Sequence, residues 1–166
     1  MRLVIDGYNL MHAMGLVHGP VGPHELTKAR VKLIGRLAAA HGETDDVTLV
    51  FDARGAPAGA DAEETRAAVQ VHYTLREEAD DYIERRIAHD SAPARLIVVS
   101  NDKRLREAAR RRGCAAWLCD HYLDWLERAE RGRRRLRPRP ADKPDGVPPR
   151  DVEEWEQIFG DADADS

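Results

Sequence analysis

Arg2-Leu3-Val4-Ile5-Asp6-Gly7-Tyr8-Asn9 opens the chain and decides how the rest is read. Three consecutive apolar residues predict a buried strand, and the aspartate, glycine and asparagine after them predict a tight polar turn. Asp6 then stands at the carboxyl end of that strand. In open parallel α/β sheets ligands bind at this rim, so a carboxylate there is a candidate for chemistry.

The same pattern recurs downstream. Val47-Thr48-Leu49-Val50-Phe51 runs into Asp52, and Arg95-Leu96-Ile97-Val98-Val99-Ser100 runs into Asn101-Asp102. Val69-Gln70-Val71-His72-Tyr73 alternates apolar and polar residues, as a strand with one wet face or at a sheet edge does. Cys114-Ala115-Ala116-Trp117-Leu118 is a short fifth strand. Apolar residues at helical spacing predict helices from Pro23 to His41, Glu78 to Ala88, Lys103 to Arg112 and Asp120 to Glu130, with Gly113 stopping the third. Gly15 to Gly22 and Ala56 to Glu64 read as loops. Strand and helix in alternation imply an α/β domain, a parallel sheet with helices on both faces.

At 166 residues the chain has room for one domain and an appendage. Its 42% hydrophobic and 34% charged residues are those of a soluble globular protein, and no apolar run approaches the ~20 residues of a membrane span. No signal-like apolar segment follows Met1, so the expected location is cytoplasmic, with no membrane partner. Cys114 and Cys119 lack zinc-ligand spacing and read as buried or incidental thiols. The net charge of −4 conceals a basic arm: residues 128–150 carry nine basic and three acidic residues, and residues 151–166 carry seven acidic and no basic ones. The expected division is a globular domain over 1–130, an Arg/Pro-rich linker over 131–150, and a short amphipathic peptide with an acidic tail over 151–166. In the peptide Val152, Trp155, Ile158 and Phe159 share helical spacing. The arm suits a polyanionic partner.

Each aspartate alone has an ordinary structural explanation as a turn former or helix cap. Together they mean more. Three strands end in aspartate, and parallel strands bring their ends to one rim, where like charges repel unless a cation joins them. At ~100° per residue, Asp80 and Glu84 lie along the border of the helix stripe made by Ala79, Ile83 and Ile87, whereas Asp81 points away. Oxygen-only ligands select Mg²⁺ or Mn²⁺ over zinc. Such a site stabilises charge on a phosphoryl centre and activates water, so no histidine base is required. With one metal, Asp6 and Asp102 are the expected ligands; with two, Asp52, Asp80 and Glu84 join them. No nucleotide-binding glycine loop or serine-hydrolase elbow occurs, and the histidines are scattered at non-ligating spacings.

Asp6-Gly7-Tyr8-Asn9, Phe51-Asp52, Glu78-Ala79-Asp80-Asp81-Tyr82-Ile83-Glu84 and Val99-Ser100-Asn101-Asp102, in this order, resemble a YacP-type NYN domain of the PIN-like nuclease superfamily. The resemblance covers residues 1–130, and the Val152–Gly160 peptide is similar to the tails of bacterial members. It implies a three-layer α/β/α PIN-like fold with a central five-stranded parallel sheet, followed by the basic arm. It also implies a divalent-metal-dependent endoribonuclease that cleaves RNA phosphodiester bonds in RNA processing or decay. Its partner would be single-stranded RNA or mRNA, a ribosome context included. Asp6, Asp80 and Asp102 match the family's acidic core and Asp52 a further acid; Asn9 and Ser100 match polar positions that place metal, water or phosphate. Ala53 stands where the family has glycine, with Gly55 two positions on. Beside these, Asn101, Arg54 and Arg104 are expected to position the RNA phosphate, Arg66 and Arg106 to hold the backbone, and Tyr8 and Tyr73 to stack on bases. Two other readings stay open: a catalytically inactive RNA-binding or ribosome-associated adaptor that works through the basic arm and the Trp155 peptide, and a receiver-like phospho-acceptor domain.

Overall fold

Every residue from Leu3 to Asp6 is buried, because β1 (Arg2–Asp6) lies inside the sheet with a parallel neighbour on each side. The computed structural model describes residues 1–52, 63–75 and 77–136, with side chains as far as residue 133. After β1 come α1 (Gly7–Ala13), α2 (Pro23–Ala40), β2 (Asp46–Asp52), β3 (Glu63–Arg66), β4 (Val69–Thr74) and α3 (Ala79–His89). A 3₁₀ turn, Pro93–Arg95, leads to β5 (Leu96–Val99), α4 (Lys103–Arg112), β6 (Ala115–Trp117) and α5 (Cys119–Leu136).

The sheet order is β3-β4-β2-β1-β5-β6. The five expected strands are all parallel, but the sheet has six strands and is mixed, since β3 pairs antiparallel with β4. The start of β3 falls in the loop expected over Ala56 to Glu64 from small, polar composition, and all four residues of Glu63-Glu64-Thr65-Arg66 are exposed. The strand forms through the tight turn at Ala67 (φ 52°), and it covers the edge that β4 would otherwise present.

Alternation along the strands divides the core. Leu3 and Ile5 of β1, Leu49 and Phe51 of β2, and Val99 of β5 pack with α1, α2 and α5. Val4, Val50 and Val98 pack on the other face with Ile83 and Ile87 of α3 and Leu105 and Ala109 of α4. Two residues on from Val4, Val50 and Val98 stand Asp6, Asp52 and Ser100. The rim's polar groups thus share the α3/α4 face, by the same period of two that builds the core.

Two boundaries differ from expectation. The turn predicted after Asp6 is a helix, α1, with Gly7 as its first residue. Asp6 caps it, accepting from the Asn9 backbone N–H at 3.1 Å, and Leu10 and Met11 are buried. Gly7 is dictated by packing, since a Cβ there would lie 2.3 Å from the Phe51 ring. At the other end α5 runs to Leu136, past the expected end at Glu130. Met1–Arg133 forms one unit and Arg134–Ser166 a second. Arg54, the linker beyond residue 136, the Trp155 peptide and the acidic tail lie outside the described residues. Among the described helices none is long and apolar enough to cross a membrane.

Candidate acidic site at the carboxyl rim

The site begins with one hydroxyl. Ser100, fully buried at the end of β5, donates from Oγ to Asp6 Oδ2 at 3.2 Å and accepts from the Asp102 backbone N–H at 3.0 Å. Asn9 adds a short contact from Nδ2 to Asp6 Oδ2. Asp6 is 4% exposed, so its carboxylate depends on these donors for the hydrogen bonds water would otherwise supply. Asp102 caps α4 through Oδ1, which accepts from the backbone N–H groups of Arg104 at 2.6 Å and Leu105 at 3.4 Å. Both aspartates therefore perform the capping role that any single one could have had, and they do so beside each other.

Asp80 approaches from the first turn of α3. Burial raises its pKa, and the negative charges of Asp6 and Asp102 raise it further, against an opposing pull from Arg104. Among the described residues no hydrogen bond or ion pair is made to its carboxylate. The charges of Asp6 on β1 and Asp102 at the β5–α4 corner thus both act on Asp80 of α3. Asp52 shares their face, but the register pairs Asp6 with Val50, which places Asp52 one strand repeat further out. Asn101 is a positioning residue of another kind: its Oδ1 accepts from the Cys119 backbone N–H at 3.0 Å, tying the loop to the start of α5.

Glu84 and Arg104 are brought together with each other. Arg104 donates from Nε to Glu84 Oε1 at 2.9 Å and from its terminal nitrogen to Glu84 Oε2 at 2.7 Å and Asp81 Oδ1 at 2.8 Å. Arg66 pairs with its neighbour Glu64, and Arg106 donates to the Asn101 carbonyl. Tyr73 is a correction: it is buried against Phe51 and Arg30, so its ring cannot stack on a base. Arg30 was missed. It is 2% exposed on α2, its guanidinium lies 5.1 Å from the Phe51 ring centre and 5.5 Å from that of Tyr73, and it donates to the Tyr8 hydroxyl at 3.0 Å. The signal was present, since Arg30 falls on the stripe of Leu26, Leu33 and Leu37. Cys114 and Cys119 are buried free thiols, as expected.

With this geometry in hand, the profile of the YacP-like NYN domain matches residues 3–158. The chain belongs to that family. This NYN domain is therefore of nuclease type. It is similar to the crystal structure of Rae1 (YacP) from Bacillus subtilis, at 27% identity and a TM-score of 0.68 over 100% of this chain and 99% of that one. A tryptophan-to-leucine variant of Rae1 is similar at 26% identity and a TM-score of 0.62, over 81% and 79% of the two chains. No curated protein matches the NYN domain.

Proposed function

We propose that this NYN domain is a divalent-metal-dependent endoribonuclease acting in RNA processing or decay, with Asp6, Asp80 and Asp102 as its centre. The observation that carries the reading is Asp80: a carboxylate with no hydrogen-bond donor among the described residues, raised in pKa by burial and by the charges of Asp6 and Asp102. Stability alone does not favour that arrangement, because each charge disfavours the next.

The donor set fits Mg²⁺ or Mn²⁺. All the converging groups are oxygens, and a hard cation would relieve their mutual repulsion. Among the described residues, no three His, Cys, Asp or Glu side chains already stand in a metal-holding group; Asp6, Asp80 and Asp102 are the residues that would hold the ion. The bound ion supplies charge neutralisation at the scissile phosphate and activation of the attacking water. The protein's own residues orient the pieces. Ser100 and Asn9 hold Asp6 in one rotamer, and the α4 backbone holds Asp102. RNA rather than DNA rests on the family.

The test uses the whole chain and single-stranded RNA. Cleavage should appear with Mg²⁺ or Mn²⁺ and stop with EDTA. Asp6→Asn and Asp102→Asn preserve a helix-capping oxygen while removing the charge, so each should lose cleavage without losing its helix start. Unchanged cleavage in either would overturn the centre. The adaptor reading is favoured by one observation, that Asp6 and Asp102 are already engaged as caps; RNA binding without cleavage at any metal concentration would establish it instead.

A further inference from the structure

We infer that the groove between α3 and α4 is a track that holds the backbone of single-stranded RNA as it leaves the acidic rim. The inference rests on the ribonuclease reading above. Both helices begin at the rim, where Asp80 and Asp102 lie, and end at the opposite edge of the sheet. The space between them therefore leads away from the acids.

That space is an open groove of about 530 Å³. At its mouth Arg104 bridges the carboxylates of Asp81 and Glu84, one guanidinium against two acids. Further along, its floor is apolar, with Ile87, Ala88 and Ala108, and its walls are cationic, with Arg85, Arg111 and Arg112. Arg112 closes the foot by donating to the Ala88 and Asp90 carbonyls at 3.2 and 3.1 Å. Arg111 makes no ion pair among the described residues. Among the described residues the ion-pair partner of Arg85 is Glu77, an exposed contact that a phosphate can replace at little cost.

A second hollow, of about 330 Å³, flanks α3 on its other side, and Arg85 borders both. There Tyr82 stacks on His72 at 4.0 Å between ring centres, with the Arg85 guanidinium 5.4 Å from the Tyr82 ring. Arg86 and His89 complete the lining. Cations beside an apolar floor and an aromatic stack match the chemistry of a nucleotide chain, which alternates phosphate with flat apolar base. Continuity with the rim favours the RNA that the site acts on over an acidic protein. The exposed residues at the far ends of the helices also complement the helix dipoles, but Arg85 lies too far from the end of α3 for that role.

The test starts from the full chain carrying Asp6→Asn, so that RNA is bound and not cut. Arg85→Ala and Arg111→Ala are each expected to weaken a single-stranded RNA of ~12 nucleotides about fivefold, and to take roughly one unit off the slope of log affinity against log salt. Arg95→Ala, an equal charge change on the 3₁₀ turn, should alter neither. Parent-like affinity and salt slope in both alanine variants would overturn the track while leaving the ribonuclease reading intact. A parent that binds no RNA, in a chain whose wild type cuts none, would remove both.

Discussion

The two ends of the sheet gather carboxylates in opposite ways. At the amino end, Asp45 receives the Met1 α-amino group, His41 Nδ1 at 3.0 Å and the Gly42 backbone N–H at 3.2 Å. Asp90 receives Arg2 at 2.9 Å and the Ala92 backbone N–H at 2.8 Å. His41 continues the network inward, its ring buried and its Nε2 lying 2.8 Å from the Tyr122 hydroxyl. Here each acid has a cation or donor and its pKa falls: burial pushes Asp45 up, but its partners outweigh that and bring it to about 2. At the carboxyl end Asp80 faces two acids and its pKa rises. One end holds its acids with donors, and the other is the end proposed above to receive positive charge.

The largest expected effect breaks the receiving end. Asp80→Asn should reduce RNA cleavage ~100-fold or more, the scale of losing a principal charge-stabilising group, while thermal unfolding in EDTA shows no loss of stability. The matching change at the holding end should do the reverse. Asp45→Asn leaves the Met1 amine and His41 without their carboxylate and should cost about 2 kcal/mol in urea unfolding, with cleavage by the folded protein retained.

Acid should separate the ends by sign. Burial lowers the His41 pKa below its ordinary ~6.5, so stability falls as pH drops below that value. The depressed Asp45 adds a contribution that is present above the ordinary ~3.9 of an aspartate and lost as pH falls towards about 2. Asp80 runs the other way: its raised pKa is a contribution present at low pH and lost as pH rises. Urea titrations of wild type and Asp80→Asn across pH 3–8, a range set by these ordinary values, should differ most at the alkaline end, by roughly 1 kcal/mol or less. The smallest effect sharpens the contrast with metal. Millimolar Mn²⁺ should raise the melting temperature of wild type by ~3 °C and that of Asp80→Asn by less, read by calorimetry.

The strand ends were legible because a period of two is local: Val4, Val50 and Val98 announce which side Asp6, Asp52 and Ser100 take. The preference for Asp80 over Asp81 was legible from helical phase, and Asp81 is indeed the exposed one. What escaped was decided by contacts distant in sequence. Gly7 is a poor first residue for a helix by propensity, and only the Phe51 ring explains it. Glu63–Arg66 has no pattern of its own and is a strand because β4 offers an edge. The pairing of Glu84 with Arg104 was not legible either, because Arg104 lies 20 residues on and nothing local to either announces it.

Ser100 has one further consequence. Its hydroxyl joins the end of β1 to the amide of Asp102, so that amide can exchange its hydrogen with solvent only when the link to β5 opens. The Asp102 amide is thus a built-in clock for the rim, and its exchange rate, read with and without metal, times how often the acids come apart.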